Sequence, residues 1–311
     1  MSDDYLWDGN GKADPAVERL EGVLAPARYR PGPLPVPLPH RSWRAARVAV
    51  AAAVALSLAA GLYAIRRDRM ALAVTRLEGT PSIGARTIGE RGRLAEGDWL
   101  ETDGASSAEI AVADLGKVRV ASGSRIRLLR SGRREHRLEL AVGEIHARIL
   151  APPRLFVVDT PSAAAVDLGC EYTLAVAQDG SSRLHVLFGE VELAGGGLVT
   201  KVPAGGLADT HPGIGPGLPV QEDAPEPLRR AVSAFDRRPG DPFALSALLE
   251  AAGPDDAMTL WNLLPRVQRA ARAAVFARLA AVSAPPAGVS EEGVLRLDRS
   301  QLAAWWDAIT D

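Results

Sequence analysis

Five histidines, a single cysteine and two glutamates that recur in the same local context are the residues from which this chain could build chemistry. The histidines are His40, His136, His146, His185 and His211, and no pair has the i,i+4 spacing that sets two imidazoles on one helix face for a metal. His146 and His185 fall in segments of strand character and could meet across a sheet, where exposed strand histidines are the simpler account. Cys170 is alone, which excludes an intramolecular disulfide and a cysteine zinc cluster. No basic residue adjoins it to lower its pKa, so it reads as a small buried apolar side chain rather than a redox sensor. Glu144 and Glu190 each follow a glycine at a corner and read as solvated turn residues. The glycine-rich runs 195–197 and 213–217 lack the Lys-Ser/Thr pair that makes a phosphate cradle. No nucleophile elbow is present either, so the expectation is a non-enzyme with no cofactor and no metal.

The elements around these residues change character along the chain. Its 311 residues suggest about two domains. The net charge of −2 argues against direct nucleic-acid binding. Residues 48–65 read VAVAAAVALSLAAGLYAI, with no charge, and are bounded by Arg41, Arg44 and Arg47 on one side and Arg66, Arg67 and Arg69 on the other. This predicts one transmembrane helix, and hence a single-pass membrane protein. A cleaved signal peptide does not fit, since its n-region would be 47 residues long and Pro-rich. With the longer part outside, the N-terminus is expected in the cytoplasm.

Residues 1–30 form an acidic-to-basic tail. Asp14 can cap a helix whose first turn holds Pro15, and Val17, Leu20, Leu24 and Ala27 then line one apolar stripe. A helix this short is marginal alone, so the stripe calls for cover: a cytoplasmic partner, with Tyr5, Leu6 and Trp7 as further anchors, or the membrane surface. Residues 31–47 are a Pro-rich basic juxtamembrane linker with polyproline II character.

From residue 72 the apolar period becomes 2. Short alternating runs punctuated by Gly, Asp and Ser predict a mainly β domain over 72–205, as a sandwich, barrel or solenoid of stacked short strands. It contains an echo: Leu138-Glu-Leu-Ala-Val-Gly-Glu-Ile145 repeats as Leu184-His-Val-Leu-Phe-Gly-Glu-Val191, each a strand, a Gly-Glu corner and a strand. Gly143 and Gly189 would allow the bend. Residues 206–226 are rich in Gly and Pro and read as a linker. Beyond them the 3.6 period predicts a C-terminal helical region over 227–311, with helices at 227–236, 242–252, 255–264, 265–282 and 299–309. Asp241 and Asp255 are the expected N-caps. Trp261, Trp305 and Trp306 either close a small core or, for the last two, form an exposed binding pair.

The order of these β motifs resembles the FecR domain. Leu94-Ala-Glu-Gly-Asp-Trp-Leu-Glu-Thr102 is similar to its l-x-x-G-D-x-l-x-T opening, which places Gly97, Asp98 and Thr102 at the motif positions. Residues 138–149 resemble its l-x-l-x-x-G-x-v segment, with Gly143 followed by Glu144. Phe156-Val-Val-Asp-Thr-Pro161 matches its f-x-V-x-T-p strand through Thr160 and Pro161, and Gly169 and Tyr172 stand where the family has G-T-x-F, with Cys170 replacing the threonine. Gly189 and Gly205 fall in its closing strands. The resemblance implies an inner-membrane signal transducer: a cytoplasmic segment holding an extracytoplasmic-function sigma factor or another regulator, one membrane helix, and a periplasmic β domain that senses an envelope or outer-membrane protein. This tail is shorter than the family's usual anti-sigma segment. The alternative is a structural or scaffolding envelope protein that binds other envelope components through its β and helical regions.

Overall fold

The protein is described here from a computed structural model covering residues 14–32 and 43–311, without the side chains of 43–46 and 62–69. Tyr5, Leu6 and Trp7, and most of the Pro-rich linker, lie outside the described residues. Two units are compact in themselves, 1–59 and 60–311.

In the first unit helix α1, Pro15–Leu24, begins as its sequence requires: the Asp14 side chain accepts from Ala16 N at 2.8 Å and Pro15 occupies the first turn. A second helix, α2, runs Trp43–Arg69. It corrects the expected membrane helix. Among the described residues no helix is long and apolar enough to cross a membrane. The uncharged stretch 48–65 is short for a span, eight of its residues are alanines of low transfer free energy, and α2 continues into Arg44 and Arg47 at one end and Arg66, Arg67, Asp68 and Arg69 at the other. An arginine-bounded alanine run forms a helix on propensity alone, and its helicity is no evidence of hydrocarbon around it.

The β domain consists of two sheets, one antiparallel throughout and one mixed, that share the strand Glu135–Ile149. The first half of that strand pairs with Arg125–Gly132 and, in parallel, with Phe156–Asp159. Its second half pairs with Gly116–Val120 and with Cys170–Val176. The change of sheet falls at Gly143, φ +98. A second crossing, in the opposite direction, falls at Gly189, φ +76: Ser182–Phe188 belongs to the sheet of Cys170–Val176, whereas Glu190–Gly195 pairs with Ala164–Asp167 and Leu198–Pro203. The echoed Gly-Glu motifs are thus the two corners where one chain serves both sheets.

Period-2 alternation puts one face of each sheet inward. Ile110, Val118, Ile145, Ala147, Tyr172, Leu174 and Val186 of one sheet and Ile126, Leu128, Leu138, Leu140, Phe156, Val158 and Leu193 of the other fill a single buried core. Each such aliphatic side chain contributes about 1.5–3 kcal/mol by burial.

The Gly/Pro-rich stretch read as a linker continues the sheet: Gly206–His211 pairs with Ser182–Phe188, and Gly215–Pro216 and Val220–Gln221 pair with Gly206–His211 in turn. Glycines at 206, 215 and 217 meet neighbouring backbone or side chains closely, which is why small residues there denote close approach and not looseness.

The helical region comprises α3 (Glu226–Arg237), α4 (Pro242–Ala251), α5 (Ala257–Leu263), α6 (Arg269–Val282), α7 (Glu291–Leu295) and α8 (Arg299–Thr310). Asp241 caps α4 through Phe243 N, as its position predicts, and Asp256 rather than Asp255 precedes α5, with its carboxylate accepting from Gly253 N at 2.6 Å. Leu228, Phe235, Leu248, Leu260, Leu279 and Trp305 centre a second core. Trp305 and Trp306 are buried, so the exposed tryptophan pair does not exist.

Two polar joints fasten this region to the β domain. The Asn262 carboxamide accepts from Lys201 N at 2.9 Å and donates to Lys201 O at 3.0 Å. Asp236 accepts from Leu218 N at 3.0 Å and faces the buried Arg266 guanidinium at 3.5 Å, which also donates to Gly217 O at 3.0 Å and to Thr200.

Candidate partner-binding groove

The motif residues do local structural tasks before any site is considered. Gly97, at φ +87, turns the chain between the strands Arg91–Leu94 and Trp99–Glu101, with Ala95 N donating to the Asp98 carboxylate at 3.3 Å. Thr102 is buried and donates to Ala121 O at 2.7 Å while accepting from Ser124 N at 2.9 Å. Ser124 in turn accepts from Glu144 N at 2.9 Å and fastens the Gly143 corner, whose Glu144 side chain is exposed. Thr160 closes the turn at Pro161 by donating to Ala163 O at 2.8 Å and accepting from Ala163 N at 3.0 Å. Gly205, φ +78, donates its N–H to Val186 O at 2.8 Å.

Three of the motif residues meet at the second corner. Gly169, φ +97, approaches Gly189 so closely that a Cβ on Gly189 would collide with Gly169 O. Beside them Cys170 is buried and donates its thiol to the Asp167 carboxylate, 2.6 Å away, with Gly169 N also donating to Asp167 at 2.7 Å. Burial, and then the neighbouring Asp167 charge, push the Cys170 thiol well up. Burial likewise raises Asp167. Tyr172 is buried with its hydroxyl unpartnered, and desolvation raises its pKa far above the ordinary value. A thiol held protonated against a carboxylate is no nucleophile.

Glu190, on this corner, differs from its counterpart Glu144. It is not a free turn residue: Trp306 Nε1 donates to it at 2.5 Å and Lys201 Nζ lies 3.1 Å away, itself 5.2 Å from the Trp306 ring centre. Trp261 leans on the same indole at 4.6 Å between centroids. The corner is therefore clamped to helix α8.

The strand entering this corner carries an irregularity. Ser182, Leu184 and Val186 point inward, so Phe188 should do so too. A bulge intervenes: Tyr172 pairs with Val186 and Glu171 with Phe188, leaving Leu187 as the extra residue. A bulge re-aims the side chains beyond it. Phe188 turns outward and is 64% exposed. It forms one side of an open groove of about 750 Å³ between the corner and the helical region, with Met258, Val282 and Ile309 on the other side. Two carboxylates, those of Glu190 and Asp255, lie in the lining, the first of them already held by Lys201 and Trp306. An aromatic displaced from its core parity onto the wall of an open trough whose lining is more polar than apolar is suited to binding an extended segment. Sequence reasoning passes over Phe188, because alternation places it inside and only the cross-strand register reveals the bulge.

The remaining candidates do not converge. His146 and His185 flank Thr173 on one outer face, where His146 pairs with Glu171 at 3.1 Å and His185 with Glu222 at 3.4 Å. Among the described residues no group of His, Cys, Asp and Glu could hold a metal. On α1, Leu20 and Leu24 are exposed and Val17 is half-buried.

A two-sheet β domain with glycine corners and a helical cap is the class this architecture defines. Residues 98–192 match the family described as FecR protein, the family to which the sequence motifs pointed. Two crystal structures of a protein described as a "putative anti-sigma factor" from Parabacteroides distasonis are similar, each at 20% identity over 44% of this chain and 63% of that chain, with a TM-score of 0.36. This chain therefore spans less than two thirds of that protein. No curated protein matches.

Proposed function

We propose that this chain is a regulatory binding protein, not an enzyme, whose FecR-type β domain docks an extended segment of a protein partner in the groove beside Phe188. The bulge that turns Phe188 outward carries this reading. The partner segment presents an apolar side chain to Phe188 and Ile309 and a basic one to Asp255, Glu190 being already held by Lys201 and Trp306. The exposed stripe of Leu20 and Leu24 on α1 serves as a second docking face, toward a regulator such as a sigma factor. The FecR match over residues 98–192 supports a regulatory assignment.

The test compares Phe188→Asp with Phe243→Asp, which alters an equally unsupported aromatic on α4 that is 84% exposed. In cells lacking the native chain, Phe188→Asp is expected to reproduce the transcript changes of the deletion, at unaltered thermal stability, while Phe243→Asp restores the wild-type pattern. A Phe188→Asp chain that restores the wild-type pattern overturns the reading.

A further inference from the structure

The hairpin joining the strands Arg125–Gly132 and Glu135–Ile149 turns on two arginines. Gly132 pairs with Glu135, which leaves Arg133 and Arg134 as the two turn residues, both exposed. A tight turn ordinarily employs Asn, Asp or Gly. Neither arginine has a carboxylate partner among the described residues. Arg130 and Arg154 line the same open recess, of about 560 Å³, with Arg130 paired to Glu135 at 2.9 Å and Arg154 to Glu192, so that Arg133 and Arg134 are the two arginines of the lining without a carboxylate partner. That is a strong local excess of positive charge in a chain whose net charge is −2.

Arg154 supplies an independent observation. Its φ is +68, one of three positive values at non-glycine residues among those described. Glycine would adopt this conformation at lower cost, by about 1 kcal/mol. An arginine kept there is kept for its side chain, which pairs with Glu192 on a neighbouring strand while lining the recess.

We propose that this recess is an anion site for a molecule carrying two phosphate groups. The planar guanidinium fork matches phosphate oxygens in pairs. A singly charged anion such as a carboxylate would satisfy one of the two unpaired forks, Arg133 or Arg134, and leave the other without a partner. Two phosphate groups supply both the charge and the oxygens for Arg133 and Arg134, with Arg130 and Arg154 at the margin. The site is separate from the Phe188 groove and does not depend on it.

Titration calorimetry on the full chain at low ionic strength tests this, with inorganic pyrophosphate as the soluble probe and phosphatidylcholine vesicles containing phosphatidylinositol bisphosphate as the lipid-borne one. Saturable binding of either probe is expected, with the better ligand identifying the source. Arg133→Ala/Arg134→Ala should weaken binding by about a hundredfold, or tenfold for each charge-assisted hydrogen bond removed. Arg154→Gly should weaken it too, and Lys117→Ala/Arg119→Ala, on the other sheet, should leave it unchanged. The turn is exposed, so circular dichroism and melting of the double variant should match the wild type. Absence of binding to both probes, or equal binding by the two double variants, overturns the proposal.

Discussion

The Asn262 side chain lies along the main chain of Lys201 as a neighbouring strand would, its oxygen 2.9 Å from the Lys201 nitrogen and its nitrogen 3.0 Å from the Lys201 oxygen. Lys201 sits in Leu198–Pro203, which pairs on its other side with Glu190–Gly195 and forms an edge of its sheet. Unpaired edges template association with other strands. One carboxamide from helix α5 therefore completes the hydrogen bonding of the edge and blocks it with the helical region.

Replacing Asn262 by Ala should expose that edge. Three hydrogen bonds at a buried position are removed, the two to Lys201 and one to Met258 O, at about 3 kcal/mol in total. Asn262→Asp should be worse, since it keeps an acceptor, removes the donor to Lys201 O and buries a charge. Denaturant unfolding gives the ranking, and size-exclusion chromatography is expected to show concentration-dependent association for both variants. Monomeric variants of wild-type stability would show that the carboxamide is incidental.

The glycines of the two corners should rank with their surroundings. A methyl group on Gly143 would collide with Ser124, and one on Gly189 with Gly169 O, in both cases at a positive φ. Gly97 has φ +87 but open space around its would-be Cβ. Gly143→Ala and Gly189→Ala are expected to cost more than about 3 kcal/mol, and Gly97→Ala about 1 kcal/mol, from conformation alone. Thermal melts of the three variants decide the order.

These corners are legible in the sequence because a glycine followed by glutamate twice interrupts period-2 alternation, and local pattern and local structure agree there. The strands around them are legible for the same reason. Asn262 is not, because its role depends on a strand 61 residues away and no local signal distinguishes it from a solvated asparagine. Phe188 is hidden by its own correct parity. The stretch 206–226 passes for a linker because Gly and Pro denote both flexible chain and crowded strand, and only packing separates the two. The apolar run 48–65 passes for a span when absence of charge is weighed above the low hydrophobicity of alanine. Helix α7, five residues long, offers too few turns for a periodic signal.

Cys170 should be inert in the native state. It is buried, its thiol donates to Asp167, and desolvation pushes its ionisation up. Alkylation by iodoacetamide at pH 8 is expected to proceed only as fast as the chain opens, rising steeply with denaturant. Rapid labelling in native buffer would contradict the burial of the corner.

The joint between Asp236 and Arg266 predicts how stability depends on pH. Asp236 faces Arg266 from the loop after α5, Leu218 N from the sheet, and His211 and Asp209 across a small recess. Desolvation outweighs the attraction of Arg266 and raises the Asp236 carboxyl to about 6. Burial also lowers the Arg266 pKa. A carboxyl whose folded pKa lies above its unfolded value binds its proton more tightly in the fold. Its contribution is complete below the ordinary carboxylate range and is lost as pH rises through about 6. The wild type should therefore gain stability from this group as pH falls from 7 toward 4. Asp236→Asn cannot titrate and should flatten that part of the profile. It keeps an acceptor for Leu218 N but leaves Arg266 without its counter-ion, and its deficit relative to the wild type is expected to be largest at acid pH and to narrow toward neutral pH, where the wild type has lost the contribution of Asp236. Melting temperatures of both chains at half-unit steps of pH would settle it. Parallel profiles would mean that Asp236 stays ionised throughout, held by Arg266 more strongly than burial opposes it.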